Sequence, residues 1–197
     1  MLSLTRPQRH EVSLDGRRFK LRLSFDRVLL VYELMADPEP DDGLKLEIAL
    51  QILVSGRRWK RLAQEDQHRL LSVIFSEHIQ TDKRPSEGGP KVMDYTEDAA
   101  YIFASFRSAY GIDLLRERGR MSWAEFSALM DGLPDNTKLR EVVRIRAAEV
   151  PMPDKHNAKS REALLKAKRF YALKAAQVSY QQGLEALFAF AKSVSRS

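Results

Sequence analysis

The chain has 197 residues, 44% hydrophobic and 30% charged, with nine Gly, eight Pro and no Cys. It is long enough to bury a core, and the lack of cysteine excludes a disulfide frame, a thiol nucleophile and a thiolate metal site. The net charge of +6 is uneven: residues 1–136 carry 20 Lys/Arg against 22 Asp/Glu, residues 137–197 carry 13 against 5.

In chain order, Val12 and Leu14, the pair Asp15-Gly16, then Phe19, Leu21 and Leu23 read as a β-hairpin around a tight turn. Helical spacing follows. Ser24 or Asp26 caps a helix with Phe25, Val28, Leu29, Tyr32 and Met35, stopped by Pro38 and Pro40. A second helix is expected from about Asp42 to Val54 and a third from about Gln64 to Ile79. Residues 81–93, with two Pro and a Gly pair, read as a loop or linker.

Asp94 or Thr96 then opens a helix carrying Ile102, Phe103, Phe106 and Tyr110, closed by Gly111. Ser122 with Glu125 fits a capping box ahead of Trp123, Phe126, Leu129 and Met130. Ile102, Phe103, Phe106, Trp123, Phe126 and Leu129 are the expected hub of the core. Asn136 or Thr137 caps the next helix, with Leu139, Val142, Val143 and Ile145 inward and Arg140, Arg144 and Arg146 outward. From Ser160 onward the pattern is helical, with Gly183 the one glycine. Unbroken to Ser195, that helix would measure about 54 Å, against about 40 Å for a compact domain of this length. A break near Gly183 or a projecting helix is therefore expected.

Phosphate loops, dinucleotide fingerprints, nucleophile elbows and zinc-protease motifs do not occur. The histidines His10, His68, His78 and His156 are dispersed and read as solvated. Asp94, Glu97 and Asp98 cluster at a helix start, where carboxylates complement the macrodipole more simply than they catalyse. Lys138, Arg140 and Arg144 could face nucleic acid in a helix-turn-helix, but the turn holds Pro134 and Asp135, which favours a solvated basic face. The lysine-rich stretch Lys155 to Arg169 could meet an acidic partner or nucleic acid, or be the polar face of an amphipathic helix.

No apolar stretch approaches the roughly 20 residues of a bilayer span, and Arg6 to His10 do not read as part of a signal peptide. Near the C-terminus, Leu184, Leu187, Phe188, Ala191 and Val194 form one helical stripe, with Phe190 roughly 200° around the axis from Phe188. Leu184, Leu187, Phe188 and Phe190 are the candidate partner-binding residues, for self-association or for another chain.

One block also carries a resemblance. Residues 94–102, Asp94-Tyr95-Thr96-Glu97-Asp98-Ala99-Ala100-Tyr101-Ile102, lead to Ser105-Phe106 and to Tyr110-Gly111-Ile112-Asp113-Leu114. Met121-Ser122-Trp123 with Phe126, Gly132-Leu133-Pro134 with Asn136-Thr137, and Ile145-Arg146 complete it. This order resembles the small bacteriophage proteins encoded just ahead of the tape-measure gene in long-tailed phages, commonly assigned as tail assembly chaperones. The Asp15-Gly16 hairpin followed by Phe25, and Phe170-Tyr171-Ala172-Leu173 after a basic stretch, fit the same family. The resemblance implies a non-enzymatic protein that binds the tape-measure polypeptide in the host cell cytoplasm and keeps it soluble, with no cofactor, metal or catalytic residue. The competing readings are a nucleic-acid-binding helical module and a minor structural protein of the tail.

The expected architecture is mainly α: an N-terminal β-hairpin, a helical domain and a long C-terminal helical extension. Its expected divisions are 1–80, the loop or linker 81–93, a helical core block 94–153, and a basic helical extension 154–197.

Overall fold

The computed structural model describes residues 4–5, 10–80 and 91–174. Among the described residues the protein is mainly α, with an N-terminal antiparallel hairpin followed by seven α-helices. Two compact units divide it: residues 10–80 fold with Arg118–Met130, and residues 91–117 fold with 131–174.

The first unit begins with β1 (Glu11–Leu14) and β2 (Arg17–Lys20), Val12 paired with Phe19 and Leu14 with Arg17. Asp15 at φ 47° and Gly16 at φ 76° take the two left-handed positions that a tight hairpin turn demands. Alternation then turns Val12, Leu14 and Phe19 inward. Helix α1 (Phe25–Ala36) buries Phe25, Val28, Val31, Tyr32 and Met35. Asp41 caps α2 (Asp42–Leu53) by accepting from the Leu44 amide at 2.8 Å. A 3-10 turn at Arg58–Arg61 buries Trp59, and α3 (Gln64–Ile74) winds into a π-helical turn at Phe75–Ile79.

Helix α5 (Trp123–Asp131) starts where the Ser122 hydroxyl accepts from the Glu125 amide, one half of the expected capping box. Its Phe126 ring stacks on Phe25 at 4.9 Å, and Trp123 meets Tyr32 edge-on at 5.5 Å. The Trp123 indole N–H donates to the Ile79 carbonyl at 3.0 Å, so burying that ring strands no donor. The single hub expected from the sequence is therefore divided. Trp123 and Phe126 belong to the first unit, Ile102 and Phe106 are buried in the second, and Phe103 is only half-buried.

Two histidines also differ from expectation. His68 is only 2% exposed, because it stands three residues before Leu71 on the inward face of α3. His78 lies in the π-helical turn with its side chain 13% exposed. His10 and His156 are exposed, as expected.

In the second unit, α4 (Ala99–Tyr110) ends on Gly111 in the left-handed conformation, φ 68°. It begins at Ala99 rather than at Asp94 or Thr96, since the Asp94 side chain accepts from the Thr96 and Glu97 amides and holds them in a preceding turn. Helix α6 (Lys138–Ala147) packs against α4. Its Leu139 amide donates to the fully buried Ser105 hydroxyl at 3.0 Å, so a side chain of α4 satisfies a free amide at the start of α6.

Helix α7 (Ala158–Phe170) packs against α6 and buries none of its residues. It stops at Tyr171, so the helical segment breaks well before Gly183.

Candidate functional site

The C-terminal third carries the chain's basic excess, and the structure separates the cations used internally from those left at the surface. Arg146, expected outward, is turned in. Its guanidinium meets both oxygens of Asp98 at 2.6 and 2.8 Å, and donates to the Val92 carbonyl at 3.0 Å and the Tyr171 carbonyl at 2.6 Å. Asp98 is 0% exposed and the Arg146 side chain 9%. The reason is positional: Arg146 continues the α6 stripe of Leu139 and Val142 four residues on, so the helix carries it into the interior. Asp98 in turn stands four residues before Ile102 on the buried face of α4.

Other candidates for a nucleic-acid face are similarly occupied. Arg140 donates to the Leu133 and Asp131 carbonyls at the end of α5. The Lys138 ammonium donates to the Tyr171 hydroxyl at 2.8 Å and to Glu141 at 3.1 Å, and these bonds, the hydroxyl's first, push its pKa up. Arg144 is exposed. The carboxylates ahead of α4 also have internal partners. Burial alone would raise the Asp94 carboxyl, but Lys91 at 2.6 Å and the amides of Glu97 and Thr96 outweigh it and hold the group below its ordinary 3.8. Glu97 accepts from the Lys174 amide at 2.9 Å.

Polar ties hold α7 in place. The Lys168 ammonium donates to the carbonyls of Ile145, Arg146 and Ala148 at 3.4, 2.6 and 2.5 Å, meeting acceptors that the end of α6 leaves free. Arg161 donates to the Pro151 carbonyl at 3.2 Å. Leu164 and Leu165, on the same side, are half-buried. The opposite side is open, with Lys159, Glu162, Ala163, Lys166, Arg169 and Phe170 all exposed.

Phe170 is 77% exposed and Met152 84%, both large apolar side chains standing in solvent. Phe170 is nevertheless braced. Its ring meets Tyr171 edge-on at 4.8 Å, and Tyr171 meets Tyr101 at 6.0 Å and lies under the Lys138 ammonium at 4.9 Å. With its carbonyl also held by Arg146, Tyr171 is a fixed post and Phe170 a preorganised apolar anchor. Of the candidates from sequence, Leu184, Leu187, Phe188 and Phe190 lie outside the described residues. Phe170 is visible in the sequence only as part of the family resemblance, and its exposure follows from the end of α7 at that residue.

The sequence matches the family described as bacteriophage Gp15 protein over residues 8–173. No curated protein and no solved structure gives a match. The family match covers most of the chain, so the protein belongs to the bacteriophage Gp15 family.

Proposed function

We propose that this member of the bacteriophage Gp15 family is a tail assembly chaperone, which binds the tape-measure protein in the host cell cytoplasm and keeps it soluble until the tail encloses it. In this reading it is a binding protein, with no catalytic step and no cofactor. The observation that carries the proposal is the C-terminal arm: a helix that buries none of its residues and ends on a braced, exposed phenylalanine. An exposed apolar anchor costs free energy in water, and covering it by a partner returns roughly 25 cal/mol per Å² of apolar area. Leu184, Leu187, Phe188 and Phe190 extend the proposed contact along the chain.

A tape-measure polypeptide is a very long helical chain whose apolar faces stay unpaired until assembly. A small protein with one apolar anchor and a charged surround can coat such a chain in many copies. Each contact then needs only modest affinity, because copies bound side by side act together. The nucleic-acid alternative has fewer cations to use, with Lys138, Arg140 and Arg146 spent on internal partners.

Co-expression tests the proposal. The tape-measure protein of the same phage should be insoluble when made alone and soluble, co-purifying with this chain, when both are made. Tape-measure protein that stays insoluble in its presence contradicts the reading.

A further inference from the structure

The outward face of α7 has a regular spacing that the docking of this helix on α6 does not use. Lys159, Ala163, Lys166 and Phe170 follow one another at intervals of four, three and four residues, and all are exposed. Residues at these intervals lie on one face of a helix, and that face forms a strip, or seam, along which another helix can lie. The seam runs about 16 Å at 1.5 Å per residue. Glu162 and Arg169, seven residues apart, flank it with opposite charges, as the flanks of paired helices do when they select partner and register. The inward face is spent, since Arg161 and Lys168 donate to backbone carbonyls and Leu164 and Leu165 are half-buried. Lys159 and Lys166 have no ion-pair partner among the described residues.

We propose that this seam takes a single amphipathic helix of the tape-measure protein, one that sets carboxylates opposite Lys159 and Lys166 and an apolar pocket around Phe170. The inference rests on the chaperone reading and names the part of the partner that is bound. Charge complementarity selects the occupant. A second copy laid parallel sets Lys159 against Lys159 and Lys166 against Lys166, whereas acidic residues at matching positions neutralise them. The Glu162 carboxylate, four residues before Lys166, disfavours a polyphosphate backbone along the same face. Phe170, mostly exposed and edge-on to Tyr171, supplies the apolar contact that a charge-only interface lacks.

The test co-expresses the full chain with the tape-measure protein, as wild type, Phe170→Ala, the double variant Lys159→Glu/Lys166→Glu, and Lys155→Glu as a control in the exposed turn ahead of α7. All these side chains are at the surface, so unchanged melting curves establish that the fold is intact. Both seam variants should retain about tenfold less soluble tape-measure protein than wild type, the scale of losing one hot-spot contact. The control should match wild type. Acid-to-lysine changes in one tape-measure helix should restore capture by the double variant. Seam variants that capture as well as wild type overturn the seam and leave the chaperone reading standing. A wild type that captures nothing overturns both. Binding of the wild-type chain to duplex DNA that the double variant loses assigns the face to nucleic acid and overturns the proposal.

Discussion

Asp98 and Arg146 meet in a two-pronged ion pair in which almost nothing reaches water. The guanidinium uses further donors on the Val92 and Tyr171 carbonyls, so the segment before α4, helix α6 and the chain after α7 converge on one side chain. Removing one partner of such a pair leaves an uncompensated buried charge, which costs about 3–5 kcal/mol. Arg146→Met and Asp98→Asn should each lower stability by about that much in denaturant melts, while the double variant Asp98→Leu/Arg146→Met should lose less than the sum. The pair is legible in principle: Asp98 extends the Ile102 stripe by four residues and Arg146 extends the Leu139–Val142 stripe, and a charge on an apolar stripe needs a buried counter-charge. Reading arginines as outward by type hides it. The histidines give a second residue-level prediction. Burial, against the weaker pull of Asp42, lowers the His68 pKa below 6.5, and burial does the same for His78. The unfolded chain therefore takes up these protons first, so stability is fully present above about pH 6.5 and falls as the pH drops below it. Melting temperature measured from pH 7.5 to 5.5 should decline, and His68→Gln/His78→Gln should flatten that decline.

At the scale of elements, helices with a clear apolar stripe and a stop signal are the readable ones. The Asp15-Gly16 turn, the Asp42 start of α2 and the Gly111 end of α4 all follow from local chemistry. What periodicity does not supply is partnership: Trp123 and Phe126 share a stripe type with Ile102 and Phe106, and nothing local says which α1 side chains the first pair will meet. Phe126→Ala removes a fully buried ring stacked on Phe25, and thermal or denaturant melting should register a loss of about 3–5 kcal/mol. Helix α7 is shorter than its pattern suggests, because a sequence without proline gives no sign that Tyr171 will be pulled onto Lys138, Arg146 and Tyr101 and end the helix there. An element held by carbonyl caps and two half-buried leucines should open locally. Amide exchange in the first two turns of α7 should be faster than in α4, whose Ile102, Ser105 and Phe106 are buried.

Across the whole molecule, the charge asymmetry of the sequence takes on a more specific meaning than a basic tail. Part of the excess is structural, with Lys138, Arg140, Arg146 and Lys168 tied to oxygens of the second unit. What remains at the surface on α7 is the face of Lys159, Lys166, Arg169 and Phe170. Family membership makes this a bacteriophage protein, and under the proposed reading its unspent helical face holds another chain for a time. A chaperone is displaced once its client is enclosed, whereas a structural tail protein stays. Quantitative mass spectrometry of tail assembly intermediates and of purified phage particles separates the two. The account predicts this chain in complex with the tape-measure protein in the intermediates and its absence from finished particles. A fixed copy number in finished particles, with no tape-measure complex in the intermediates, would contradict it.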